Sequence, residues 1–380
     1  MNFVLFYHSL VSDWNHGNAH FLRGIVTELM ECGHSVRVYE PAAGWSLRNL
    51  RERYGNEPVN AFHAAYPRLR SSFYEVDALD LDEVLDRADI VIVHEWNDPE
   101  LVVRIGRHRA RARSYRLLFH DTHHRAVSAP DELRAFDLSD YDGVLVFGEV
   151  LRCIYEKRGW AARTWTWHEA ADTRVFRPIM GVPKSLDLVW VGNWGDGERN
   201  AEIMEFLVDP VREAGLRARV YGVRYPEDAL RTLCGAHIDY AGWIANFEVP
   251  AAFAEARATV HVPRRFYRHE LPGIPTIRVF EALACGIPLV SAPWEDEEGL
   301  FTPGRDFLVA RDGHEMGRHL HRLRSDPVFA RELAAHGYRT LVRRHTCAHR
   351  VDELLAIGRQ LGCAPRPPMP LLPMKGSAAA

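Results

Sequence analysis

Residues 273–292 read GIPTIRVFEALACGIPLVSA, and the reading of this stretch decides the fold. Pro275 sits where a helix can begin without losing a hydrogen bond. Ile277, Phe280, Leu283 and Ala284 then recur at helical spacing. Gly286 and Pro288 end the helix, and Pro288-Leu-Val-Ser begins a short buried strand. Loop, helix, stop and strand in that order form one unit of a parallel α/β layer. Arg278 and Glu281 are three apart and share a face. The free backbone N–H groups of residues 273–277 suit a phosphate. A carboxylate one turn further in suits the hydroxyls of a ribose. The plainer alternative is a surface Arg278–Glu281 pair, which is worth little and carries no site geometry.

Outward from this unit the second half of the chain repeats its logic. Residues 186–191 form a strand, GNWGDGERN at 192–200 a glycine-rich turn, 198–213 a helix closed by Gly215, and 218–221 the next strand. A further strand at 238–240 runs into Gly242-Trp243. The first half alternates in the same way. Strands are expected at 3–7, 35–39, 90–93, 115–119, 143–147 and 163–166, with helices at 19–32, through 104–113 and at 150–158. HSVRVYE and LRARVYG each follow a helix and a glycine, an architectural echo between the halves. Such alternation implies parallel sheets covered on both faces.

A chain of 380 residues exceeds one comfortable core. The expectation is therefore two doubly wound domains, residues 1–178 and 184–345, joined at the Pro- and Gly-bearing FRPIMGVPK. Charged helices at 312–324 and 326–344 and a last helix at 347–361 form a C-terminal helical segment. Residues 346–363 are expected to pack back on the first domain, ahead of a low-information tail at 364–380. Ligands of such sheets bind beyond the carboxyl ends of the strands, so the cleft between two facing domains is the expected site.

The formal charge is −4, which argues against a nucleic-acid partner. No apolar run is long enough to cross a bilayer, and the N-terminus lacks a basic start and a cleavage site. Six cysteines without CxxC spacing fit a reducing, cytoplasmic setting.

Candidate donor-side residues cluster at strand ends. Gly192, Asn193, Gly195 and Asp196 lie in the 192–200 turn, where glycines let backbone approach a bound group, and Arg199 follows to meet a phosphate. The spacing is neither a dinucleotide GxGxxG nor a Walker loop. Arg224, in YGVRYP, adds a second cation for a diphosphate, and Trp243 offers a ring to stack on a base. A surface arginine and a core tryptophan are the simpler alternatives.

The run HIDYAGWIANFEVPAAFAEARATVHVPRR followed by TIRVFEALACGIPLVSAPW resembles the donor domain of GT-B glycosyltransferases. More narrowly it is similar to the CgeB-like branch of the glycosyl transferase group 1 family. VGNWGDGER, YGVRYP, RxFEALACG and FLVARDGHEM stand in that family's order, and HEAADTRVFRP at 168–178 resembles its interdomain segment. The resemblance covers residues 186–353 and is looser in the first domain, where it rests on the loop at 16–18 and the helix after it. It implies two facing Rossmann-like domains, a ribose contact at Glu281, phosphate or sugar contacts along Gly273–Thr276, and a diphosphate contact at Arg199. Arg278 completes that set. Gly273 stands where retaining members carry a second glutamate, with Glu270 close but off register.

The first domain is expected to supply the acceptor side. Two loops there carry proton-handling groups: SLVSDWNHGNAH, with Asp13, His16 and His20, and FHDTHHRA, with His120, Asp121, His123 and His124. His120, Asp121 and His16 are the candidate catalytic residues, against the alternative that such residues cap turns. Adjacent histidines without a third ligand at a clear spacing do not make a metal site. Asp80-Leu-Asp82 precedes a helix and reads as an N-cap. The arginines of 104–116 read as a solvated face, and the acidic 295–298 as a solvated loop.

The expected function is transfer of a sugar from a nucleotide diphosphate sugar to a glycan, small-molecule or protein acceptor. No metal or further cofactor is expected. A sugar-nucleotide epimerase and a non-catalytic sugar-binding or coat-type protein of the same fold are the alternatives.

Overall fold

The computed structural model describes residues 1–195 and 197–363; Asp196 and the tail 364–380 lie outside the described residues. The first sheet has seven parallel strands in the order β3-β2-β1-β4-β5-β6-β7. They are β1 (Asn2–Phe6), β2 (Ser35–Pro41), β3 (Ser72–Tyr74), β4 (Ile90–His94), β5 (Arg116–Asp121), β6 (Gly143–Val146) and β7 (Thr164–Thr166). The second has six, β10-β9-β8-β11-β12-β13, also parallel. These are β8 (Leu186–Val191), β9 (Ala218–Tyr221), β10 (Asp239–Gly242), β11 (Ala256–His261), β12 (Leu289–Ser291) and β13 (Leu308–Val309). The two doubly wound sheets that the alternation implied are thus both present. In each, the order reverses beside the first strand, at β1/β4 and β8/β11, and crevices open at such switch points.

The central strands are apolar on both faces, as helices above and below demand: every residue of β4 is buried. The helix Asn18–Glu31 ends as Gly33 takes a φ of 79°, a conformation that costs glycine nothing. The helix Ile277–Ala284 starts after an extended Thr276 and stops before Gly286 at φ 63°. Asp80 caps its helix by accepting from the N–H groups of Asp82 and Glu83. Among the elements that the sequence reading passes over are the helices Trp45–Tyr54 and Glu57–Ala65, and β11, a central strand whose ARATVH has Val260 as its one large apolar residue.

The domains are bound by more than the linker. The helix Cys347–Gln360 packs on Asn18–Glu31, and Trp167 donates its Nε1–H to the Arg350 carbonyl at 2.8 Å. One apolar cluster runs from Phe3, Leu5 and Ile25 to Val279, Phe280 and Leu283 across the boundary. Two sequence expectations about charged runs are corrected here. Arg109 and Arg116 both reach Asp142, and Arg104 donates to the Val76 and Leu79 carbonyls, so half of the basic run ties elements together. Glu298 is not solvated: it accepts from the Glu149 N–H at 2.9 Å and bonds His168 Nε2 at 2.6 Å. Its side chain lies where a Cβ on Gly273 would point, 3.3 Å from the Glu298 Cγ.

Candidate active site

The carboxyl ends of both sheets face one another across a cavity of about 590 Å3. A smaller one of about 190 Å3 adjoins it, and eight of the described residues line both, among them His16, Gly17, Asn193, Arg264, Tyr267 and Thr276. The loop after β1 supplies Asn15, His16 and Gly17; the turn after β5 supplies Thr122, His123 and His124. From the second domain come Asn193 after β8, Arg224 after β9, Arg264 after β11, and Thr276 and Ile277 at the start of Ile277–Ala284.

The smaller cavity is the cationic end. Arg199 reaches it with its guanidinium held by neutral oxygens, the Val262 carbonyl at 2.7 Å and Asn193 O and Oδ1 at 2.7 and 3.0 Å. Among the described residues no carboxylate lies in ion-pair range of it. Burial, and after it the neighbouring Arg264, hold Arg199 down to about 10. A buried guanidinium beside a second cation is an arrangement that an anion relieves. Arg278 lines the same cavity, and the Ile277 and Arg278 amides at the helix start have no intrahelical acceptor, while the Val279 amide bonds the Thr276 carbonyl at 3.0 Å. Trp243 lines it too, its ring 5.2 Å from that of Tyr54.

The glycines of the β8 turn act by making room. A Cβ on Gly195, whose φ is 99°, would strike the Arg199 side chain at 2.5 Å. Gly222 leaves space for the Gly192 carbonyl, which accepts from the Tyr225 hydroxyl at 2.7 Å. Gly192 lines the smaller cavity; Gly195 does not.

Several candidates lie elsewhere. His120 and Asp121 are 1 % and 0 % exposed and line neither cavity. His120 Nδ1 bonds the Tyr7 hydroxyl at 2.6 Å, and Asp121 accepts from Tyr155 Oη at 2.8 Å and the His123 N–H at 3.0 Å. The strand simply runs on through Asp121, so the turn that faces the cleft begins at Thr122. Gly273 is also off the cavity, its N–H spent on the Glu295 carbonyl at 2.9 Å. Glu281 is 0 % exposed and lines neither cavity. Its Oε1 accepts from His20 Nδ1 at 3.0 Å and Asn246 Nδ2 at 2.9 Å, and its Oε2 pairs with Arg278. Burial opposes its charge, but the Arg278 charge and the His20 contact outweigh it and hold the carboxyl below the usual range.

The larger cavity has an aromatic, histidine-rich wall. Trp45 and Trp96 are 41 % and 42 % exposed at its rim, and His16 sits edge-on to both rings. Burial holds His16 and His124 at about 4 and His123 at about 2, so all three are uncharged at neutral pH. Glu169, Tyr267, Arg264 and both tryptophans escaped the sequence reading. Arg264 stood in the resembling run at its VPRR, and Glu169 in the HEAADTRVFRP segment, but neither carries a local pattern that sets it apart.

Residues 199–356 match the family described as Glycosyl transferase-like. Among curated proteins, none matches the chain by sequence. Solved structures are similar over nearly the whole length. Sucrose-phosphate synthase from Thermosynechococcus elongatus aligns at a TM-score of 0.65 and 15% identity, covering 95% of this chain and 99% of that one. Anabaena HepE, in complex with UDP and glucose, aligns at 0.66 and 12%, covering 95% and 100%. An alpha-glucosyltransferase in complex with UDP and mismatched DNA aligns at 0.68 and 10%, covering 94% and 100%. The chain therefore carries a glycosyl transferase-like domain over residues 199–356, set within a two-sheet GT-B fold.

Proposed function

We propose that the protein is a glycosyltransferase that moves a sugar from a nucleotide diphosphate sugar to an acceptor hydroxyl. The observation that carries this reading is the cationic cavity. Arg199, Arg264 and Arg278 converge with the Ile277 and Arg278 amides at the carboxyl end of the second sheet, next to a larger cavity whose first-domain wall is made of uncharged histidines and tryptophans. A diphosphate fits the first and an acceptor the second. A leaving diphosphate held by arginine and backbone N–H groups is stabilised as its charge develops, with no need of a metal ion. The UDP held in the structures of HepE and the alpha-glucosyltransferase supports a nucleotide donor. The motif order supports the finer CgeB-like placement, and the eight residues that line both cavities favour transfer over simple binding.

The test is a thermal shift with UDP, GDP, TDP, ADP and CDP, each with and without Mg2+. Ligand at about a hundred times its dissociation constant stabilises by roughly 2.7 kcal/mol. One diphosphate is expected to act, without metal. Arg199→Ala removes a charge-assisted contact of about 1.5–3 kcal/mol and should weaken binding roughly 10–100-fold. No shift with any diphosphate would sink the reading.

A further inference from the structure

Among the described residues three carboxylates line the two cavities: Asp13, Glu198 and Glu169. Asp13 is committed to Arg23 at 2.9 Å and to the Asn246 N–H at 2.9 Å. Glu198 is paired with Arg264 and lies 3.6 Å from His124. Glu169 is 5 % exposed, faces the larger cavity, and has no hydrogen-bond partner among the described residues. A carboxyl buried without a partner is costly, and a substrate hydroxyl supplies what it lacks. It sits on the segment between β7 and β8, between the histidine wall of the first domain and the Thr276 turn of the second.

Resting on the transferase reading above, we propose that Glu169 is a catalytic residue: the base that takes the proton from the acceptor hydroxyl during sugar transfer. The acceptor O–H bond breaks toward the Glu169 carboxylate as the oxygen bonds the anomeric carbon. The bond from that carbon to the diphosphate breaks in the same step, and its electron pair leaves on the diphosphate. Glu169 ends as a carboxylic acid, and the sugar inverts.

The surroundings favour Glu169 over the other groups at the cavity. Burial, and after it the Glu281 carboxylate, raise it to about 8, with Arg278 opposing. Tyr267, which lines the same cavity, is itself pushed up by burial and stays neutral, and burial pushes His8 there well below the usual imidazole range. Across the cavity His16, His123 and His124, at about 4, 2 and 4, are far weaker bases. A base matched to the working pH moves a proton most effectively.

The experiment uses the full chain with UDP-glucose, GDP-mannose and TDP-rhamnose as donors, and water and methyl glucoside as acceptors. Wild-type turnover should climb with pH to a plateau above about 8, and the sugar should emerge inverted. Glu169→Gln should keep the diphosphate thermal shift, lose about 10²–10⁴-fold in turnover, and lose that pH limb. Glu169→Ala should regain activity in sodium formate, an external carboxylate. Turnover of Glu169→Gln within about threefold of wild type, or a retained anomeric configuration, overturns the assignment while leaving the transferase reading intact. A wild-type protein that turns over none of the donors overturns both.

Discussion

Glu281→Ala separates two roles for the residue on which the sequence reading turned. In the structure Glu281 is a clasp. One oxygen receives His20 from the first domain and Asn246 from the second, and His20 Nε2 accepts the Asp172 N–H of the connecting segment at 2.8 Å. That last bond leaves the His20 proton on Nδ1, facing Glu281. Truncation strands two buried donors, each costing about 1–3 kcal/mol. The Arg278 side chain is 27 % exposed and turns to water, so its loss adds little. Relief of the carboxylate's own desolvation returns part of the sum, and the net is about 3 kcal/mol, at the low end of the range for breaking a buried ion pair. At roughly 2–4 °C per kcal/mol, Tm of the nucleotide-free protein should fall by about 6–12 °C. Glu281→Gln, which keeps an acceptor for His20 and Asn246, should recover about half of that. Differential scanning fluorimetry without ligand reads both. A ligand-free Tm within about 2 °C of wild type, together with a lost nucleotide shift, would mean that the carboxylate is free to meet ribose and that the clasp is wrong.

Two further outcomes follow from the domain interface and the histidines. A Cβ on Gly17 would stand 2.6 Å from Ile277 Cγ2, across the mouth of both cavities. Gly17→Ala should hold the domains apart and weaken UDP binding about tenfold in calorimetry with Tm nearly unchanged; wild-type affinity would refute this. Burial holds His16, His120 and His124 at about 4, 3 and 4 in the folded chain. These values lie below the unfolded one of about 6.5, so the unfolded state binds the extra protons as pH falls. Stability is therefore fully present above about pH 6.5 and is lost as pH falls toward the folded values, and a Tm that stays flat from about pH 7 to 5 would contradict it.

The architecture was legible because it is written in local, periodic signals. The strand at 186–191, the glycine at 215, the strand at 218–221 and the helix that stops at Gly286 each follow from residues next to one another. Such signals fail where a strand has few large apolar residues, as in β11 with Val260 alone, and where a helix has few apolar residues to mark its face, as in Trp45–Tyr54. The cationic turn around Arg199 was also visible, since a strand end, glycines and an arginine are sequence neighbours.

The use of each site residue was decided by tertiary structure. Glu281 has the spacing of a ligand group, but helix packing turns it away from the cavity to where His20, 261 positions earlier, and Asn246 saturate it. His120 and Asp121 have the chemistry of catalysts, but two more residues of strand carry both into the sheet. Glu169 has no pattern around it, and the role proposed for it comes from what surrounds it: a cavity between the domains, a neighbouring carboxylate and no hydrogen-bond partner among the described residues. The sequence by itself determined the two wound sheets and the strand ends at which the cavities open, because backbone periodicity and turn chemistry act over a few residues. Only the tertiary structure decided which carboxylate is a clasp and which is left facing the cavity, because solvation and hydrogen-bond partners are set by residues far apart in the chain.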